Sequence, residues 1–199
     1  MREISTKPYL FVLLVALGAA LAFGAARSTA ATVNLVPNPG FETGPCGFNG
    51  PIICDWNELP GTTMTSDMAN PHSGSASMKL SGPGAPFGIS ATTTQNICVK
   101  IHPGPHPASF WYRTSDALAT NVIFGADWYP NTTCSVATFG FDELNVPPVA
   151  DGAWHQVTGT LTAPPGTGSG FFFVDETCEN CTAVLTVNFD DLVANNHRR

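Results

Sequence analysis

With 19 glycines and 17 prolines scattered through 199 residues, the chain meets a backbone interruption too often for long helices. Proline lacks the N–H that a helix interior needs, and glycine fits the turns between short elements, so both act as punctuation. Neither residue recurs at a fixed period, which excludes a collagen-like repeat. Hydrophobic residues make up 43% of the chain and charged residues only 12%, so there is apolar surface to build a core and the composition lies outside the disordered class.

From Thr32 onward, segments rich in Val, Ile, Thr and aromatic residues alternate with Gly, Pro, Asn and Asp. No window keeps helical spacing for about ten residues. The pattern predicts strands over 32–36, 76–81, 88–100, 107–114, 119–128, 134–144, 154–162, 170–175 and 183–194, the spacing of a two-sheet sandwich in one domain covering 31–199. Side chains alternate across a strand, so Phe110 and Tyr112 share one face and Trp111 and Arg113 the other. By the same period Val157 and Leu161 share a face with His155, and Trp154 reaches that face only if a bulge intervenes.

The first 30 residues read as a signal peptide: Arg2 and Lys7, an apolar run from Tyr9 to Ala26, then Ser28, Thr29 and Ala30 as small exit residues. A membrane anchor is the competing reading, since the run is near the minimum that spans a bilayer. All six cysteines follow this segment, and an even count in an oxidising compartment points to three disulfides. Closeness in sequence favours Cys46 with Cys54 and Cys178 with Cys181, which leaves Cys98 with Cys134 to tie two strands together. The alternative for Cys178 and Cys181, a redox or zinc pair, meets Asp175, Glu176 and Glu179 rather than the cations that activate a thiol. No second close cysteine or histidine pair at zinc spacing accompanies it.

With 15 acidic against 8 basic residues and a net charge of −7, the chain lacks the basic face that phosphate backbones require, so nucleic acid is excluded as a partner. Nucleophile-elbow, zinc-protease, P-loop and dinucleotide-binding motifs are all missing. The adjacent acids Asp142 and Glu143, and Asp190 and Asp191, fall on predicted strands where neighbours point to opposite faces, so neither pair is expected to converge. A serine with His155 and Asp151 is a combination that any secreted domain holds, and the expectation is a protein without catalysis.

Three stretches combine to carry a family resemblance. Asn34-Leu35-Val36-Pro37-Asn38-Pro39-Gly40-Phe41-Glu42-Thr43-Gly44 opens the exported part. His72-Ser73-Gly74-Ser75-Ala76-Ser77-Met78-Lys79-Leu80 follows some thirty residues on, and Val187-Asn188-Phe189-Asp190-Asp191-Leu192-Val193 closes the chain. With Trp154-His155-Gln156-Val157 and Ala163-Pro164-Pro165, the sequence resembles the carbohydrate-binding modules of families 4, 9, 16 and 22 over nearly all of its exported length. The resemblance implies an all-β, galactose-binding-like jelly roll of two antiparallel sheets, and with the export signal the expectation is a secreted monomer. It also implies a structural calcium ion held by the Glu42 carboxylate, the Gly40 carbonyl, carbonyls from His72 to Ser75, and Asp190 or Asp191. Calcium takes oxygen ligands of these kinds.

It further implies a glycan chain held by aromatic rings, whose faces match the C–H faces of pyranoses, flanked by hydrogen-bonding groups. The candidates are Trp111 and Arg113 on one strand, Asp127 and Tyr129 on the next, Trp56 in an early loop and Gln95 on another strand. Trp128 alternates in phase with Phe124 and belongs to the core, and the family pattern places Trp154 inside as well. No catalytic domain or linker accompanies the module, so a free-standing binding role is expected. A secreted structural or adhesion sandwich without a glycan is the alternative.

Overall fold

A computed structural model describes residues 32–46, 52–84, 88–93, 97–179 and 183–196. Among them there are strands and turns and no helix. In chain order the strands are β1 (Val33–Asn34), β2 (Trp56–Glu58), β3 (Thr63–Asp67), β4 (Ser77–Pro83), β5 (Ile89–Thr93), β6 (Val99–Lys100), β7 (Gly104–Thr114), β8 (Asn121–Tyr129), β9 (Gly140–Val146), β10 (His155–Ala163), β11 (Ser169–Thr177) and β12 (Val184–Asn196). The first sheet runs β10-β7-β12-β4-β3, with β1 paired to β12, and the second runs β2-β5-β11-β8-β9, with β6 paired to β11. Every pairing is antiparallel. The start of the described chain thus lies beside its end in one jelly-roll sandwich.

Strict alternation in the long strands explains how the two sheets stack. His106, Ala108, Phe110, Tyr112 and Thr114 of β7 are buried while the residues between them are not. In β11, Phe172 and Val174 join the core, and in β8 Val122, Phe124, Ala126 and Trp128 do so. Phe110 sits at the centre, its ring 5.9 Å from Phe124 and 6.1 Å from Phe189, and Phe124 lies 5.9 Å from Phe172. Burying a ring of this kind contributes about 1.5–3 kcal/mol. Pro105 and Pro107 lie in the part of β7 that has left β12 and is paired on one flank only. That is where a sheet tolerates a residue without a donor.

Several expectations need correction. Strands β2 and β3 are absent from the sequence reading, because Trp56–Glu58 is too short for a period and Thr63–Asp67 is mostly polar. The single strand expected over 88–100 is two, β5 and β6, and the one expected over 134–144 begins only at Gly140. Cys46 bonds Cys54 and Cys98 bonds Cys134 as expected, but the second bridge joins the segment before β6 to the loop after β8 rather than two strands. Cys178 is disulfide-bonded too, and its expected partner Cys181 lies outside the described residues, as does the expected signal peptide.

Trp154 is outside the core: it precedes β10, is half-buried, and sits edge-on to His72 at 5.7 Å. No bulge intervenes in the β10–β7 register, so plain alternation holds and the family pattern does not. The expectation for Asp190 and Asp191 also fails. The β12–β7 register shifts between Asp190 and Val193, and Asp191 takes a φ of 48°, which lets both carboxylates reach the same loop.

One buried group has no place in this scheme of apolar insides. Glu176 points inward from β11 with no exposure, and neither of its carboxyl oxygens meets a hydrogen-bond donor. The nearby Thr114 hydroxyl donates to the Thr186 carbonyl instead. Burial, with Asp116 adding to it, pushes Glu176 up to about 8. A folded-state value above the ordinary carboxylate range means that the folded chain holds the extra proton, so stability declines as pH rises from about 4.5 to about 8. Thermal melting of Glu176→Gln should therefore match the native chain near pH 5 and exceed it near pH 9 by an amount worth about 1–3 kcal/mol. Identical pH profiles for the two proteins would show that Glu176 is charged and solvated.

Candidate functional site

Two places draw together side chains that a sandwich does not need for its core. The first is where the chain ends meet. The Glu42 carboxylate accepts the Ser75 N–H at 3.0 Å and the Ser75 hydroxyl at 2.5 Å, and these bonds hold it below the ordinary carboxylate range. Fully buried Asp190 accepts the His72 N–H at 2.9 Å and the Ser73 N–H at 3.2 Å through one oxygen, and the Asp191 N–H at 2.8 Å through the other. Asp191 in turn meets the His72 ring and the Ser73 hydroxyl, each at 2.7 Å. A Cβ built on Gly40 would lie 3.7 Å from an Asp191 oxygen and 3.8 Å from an Asp190 oxygen, so Gly40 sits between the acids.

The four residues expected to hold an ion, Glu42, Gly40, Ser75 and Asp190, are therefore neighbours, with Asp191 beside them. Burial pushes Asp190 up to about 6 despite its N–H donors, with Asp191 adding to the rise. The donor set, carboxylates with hydroxyls and loop carbonyls, suits a hard cation. Among the described residues, no three carboxylate, imidazole or thiol side chains alone form a metal cage, so backbone carbonyls would have to complete one.

The second place is the outer face of the second sheet. Its register sets up rows across β9, β8 and β11: Phe141, Asp127 and Phe171 in one, Glu143, Gly125 and Phe173 in the next, Asn145, Ile123 and Asp175 in the third. Tyr129 stands one step beyond Asp127, its ring edge-on to Phe171 at 5.2 Å. Phe141 is 66% exposed, the most open ring of the group. Gly125 has no side chain, and a Cβ there would run into the Phe173 ring, so the glycine lets that ring lie down on the sheet.

Between the rings stand acids that form no ion pair among the described residues. Burial raises Asp127, and burial with Asp127 nearby raises Tyr129. Asp175 is pushed up to about 6 by burial, with Glu143 and Asp127 adding to it, and one of its oxygens is buried with no partner. A face of ring edges and under-used carboxyl oxygens offers stacking surface and acceptors for hydroxyl groups.

Of the expected glycan-binding residues, only Asp127 and Tyr129 fall on this face. Trp56 is fully buried, its indole N–H donating to the Pro37 carbonyl at 3.1 Å, so it is a core residue and not a platform. Trp111 does look outward, but from the first sheet, and His72 stacks on its ring at 3.8 Å between centroids, covering the face a sugar would use. Arg113 shares that first-sheet face, with its Nε donating to the Gly152 carbonyl at 2.6 Å. Gln95 lies outside the described residues. Phe141, Glu143, Phe171, Phe173 and Asp175 were missed, although the run Phe171-Phe172-Phe173 carried the signal: on a strand its middle ring goes inward and its two neighbours outward. His155 and Asp151 pair at 2.8 Å, and no serine hydroxyl joins them among the described residues.

No family model and no curated relative matches the chain. Solved structures do, at low identity. The arabinose-bound α-L-arabinofuranosidase MgGH51 superposes with a TM-score of 0.61 and 17% identity over 81% of this chain, which spans 26% of that enzyme. The CBM22-1 xylan-binding domain of Paenibacillus barcinonensis Xyn10C gives 0.55 and 15%, covering 84% of this chain and 97% of that domain. The C-terminal family 22 carbohydrate-binding module of Clostridium thermocellum Xyn10B gives 0.52 and 10%, over 86% and 96%. The fold is thus the jelly-roll β-sandwich of these domains, matched over 84–86% of this chain and 96–97% of theirs.

Gly74 reveals how tightly the corner is built. Its φ is 61°, and a Cβ there would collide with the Glu42 carboxylate. Gly74→Ala should lower thermal stability by about 1–3 kcal/mol, from backbone strain and the lost Glu42 bonds together. Combined with Glu42→Ala, it should cost less than the two changes summed, because they share one contact. Additive losses would mean that the two residues do not touch.

Proposed function

We propose that this chain is a secreted, non-catalytic carbohydrate-binding module that holds a neutral xylan-type polysaccharide on the outer face of its second sheet. The observation that carries this reading is the coincidence, on one face, of an exposed ring at Phe141, further rings at Tyr129 and Phe173, and the carboxylates of Asp127 and Glu143 in the rows between them. Sugar hydroxyls would donate to Asp127 and Glu143, and the rings would cover C–H faces. The likeness to xylan-binding domains over 80–84% of this chain supports the same class of ligand. Cys46–Cys54 and Cys98–Cys134 support export through an oxidising compartment, as the expected signal peptide requires.

Affinity electrophoresis in xylan, with galactan as a second matrix, tests the binding face. Retardation by xylan should fall about tenfold or more in Phe141→Ala and Tyr129→Ala, the scale of about 1.4 kcal/mol for a lost ring contact. Trp111→Ala, on the other sheet, should keep native retardation. Loss only in Trp111→Ala would move the site to the first sheet, and no retardation by any polysaccharide would leave a structural or adhesion sandwich.

We also propose that a calcium ion binds between Glu42, Asp190, Asp191 and the loop from His72 to Ser75. When bound it would supply positive charge to the buried Asp190 and tie the first segment to the last strand. Because the ion binds the folded cage only, calcium should raise the melting temperature of the native chain and a chelator should lower it, while Glu42→Ala should respond far less. Melting indifferent to both additions would remove the ion from the account.

A further inference from the structure

The outer face of the first sheet carries a second polar site that the glycan face does not use. Asn188 of β12 pairs in register with Lys79 of β4 on one side and Arg113 of β7 on the other. Val187 and Phe189 face the core, as do Met78 and Leu80 around Lys79, and Tyr112 and Thr114 around Arg113. All three residues of the row therefore look outward together. Neighbouring strands lie about 4.8 Å apart, so the backbones bearing the two cations are about 10 Å from one another. The row lines a cleft of about 210 Å³, closed by Asp67, Asn70 and Asp116 with their neighbours.

Hydrogen-bonding capacity in this cleft is lopsided. Asp67 already accepts the Ala69 N–H at 2.9 Å and the Asn188 amide at 3.0 Å, and Asp116 accepts the Thr186 N–H. The cations are not matched in the same way. Arg113 uses its Nε on the Gly152 carbonyl, which fixes the guanidinium plane, and among the described residues its terminal nitrogens and the Lys79 ammonium form neither an ion pair nor a hydrogen bond. These are two of only three Lys or Arg residues in the described part of an acidic chain. Free donors facing satisfied acids select a ligand rich in acceptors and carrying negative charge. A guanidinium held at one edge presents the paired N–H groups that fit a carboxylate.

We propose that this cleft binds the carboxylate of a uronic acid residue, giving the protein an acidic-sugar site on the sheet opposite its neutral-glycan face. The carboxylate would bridge Arg113 and Lys79, and the cleft has room for little more than one sugar ring. The sugar part rests on the function proposed above, whereas the anion part does not. Titration of the isotope-labelled protein with glucuronate, glucose and inorganic sulfate, followed by amide NMR, separates the two.

Glucuronate should shift the amides of Lys79, Arg113 and Asn188, and glucose should leave them in place. Lys79→Gln removes a side chain that makes no hydrogen bond or close ion pair in the fold and only adds charge near Asp67, so it should weaken glucuronate about tenfold without loss of structure, the effect of one charge-assisted bond. Arg113→Gln should weaken it further. Phe141→Ala should leave glucuronate binding unchanged, so that a failed aromatic face and a failed cleft give different results. An equal response to sulfate and glucuronate would overturn the sugar assignment. Absence of any shift with glucuronate, or an unaltered affinity in Lys79→Gln, would overturn the site.

Discussion

The Asp190 carboxylate is the joint on which this sandwich turns. It leaves the last strand with no exposure and is met by backbone N–H groups of His72 and Ser73, some 118 residues away for the nearer bond. A carboxylate buried in its charged form is costly without such donors, so the loop from His72 to Ser75 is held where it supplies them. That loop then receives Glu42 from the opening segment through Ser75, and the Pro39 carbonyl accepts the Leu192 N–H beside it. Three distant stretches are thereby fixed to each other before any ligand is considered. They are the same three stretches whose residue patterns carry the family resemblance, which gives the resemblance a physical cause: the pattern encodes a joint, not a binding surface.

This separation explains why the fold was legible in the sequence and the site was not. Strand β7 could be read residue by residue, because a two-sided environment forces alternation and leaves Phe110 and Tyr112 no other place. Glu42, Gly40 and Asp190 were legible for the same reason, as parts of a local motif. Trp56 and Trp111 misled because a tryptophan in a chain with few of them draws attention whatever its neighbours are. One is sealed by Pro37 and Phe41, and the other is capped by His72 from across the sequence. No pattern within either strand announces a covering residue contributed by a remote loop. Phe141 was missed for the converse reason: on edge strand β9 only one neighbour constrains it, and a half-polar segment gave little period to follow.

The two outer faces differ in the kind of work they can do. On the first sheet Trp111 stacks on His72 and Trp154 meets it edge-on near the joint, so these rings are committed to holding the loop in place. What remains open there is polar, Lys79 and Arg113 on either side of the buried Asn188. On the second sheet no loop among the described residues folds back over Phe141, and the acids stay partly buried between rings instead of reaching into solvent. One face therefore presents donors and the other presents acceptors with apolar surface.

This division bears on the net negative charge, which at first seems a poor quality in a glycan binder that must approach acidic polymers. Asp127, Glu143 and Asp175 together disfavour a carboxylate-bearing chain on the aromatic face, because it would bring like charge to a cluster in which Asp127 and Asp175 are already raised by burial. Neutral hydroxyls meet no such cost, and a carboxyl that is easily protonated can both donate and accept toward them. Two of the three described cations, Lys79 and Arg113, lie on the other sheet, screened from these acids by the full thickness of the core, about 10 Å, and the third, Lys100, stands on β6 beyond Ser169 at the end of the aromatic face. Moving Lys79 or Arg113 to the second sheet would neutralise Asp175 and erase the discrimination. The placement of scarce charge, rather than its total, is what lets one small sandwich keep two unlike faces.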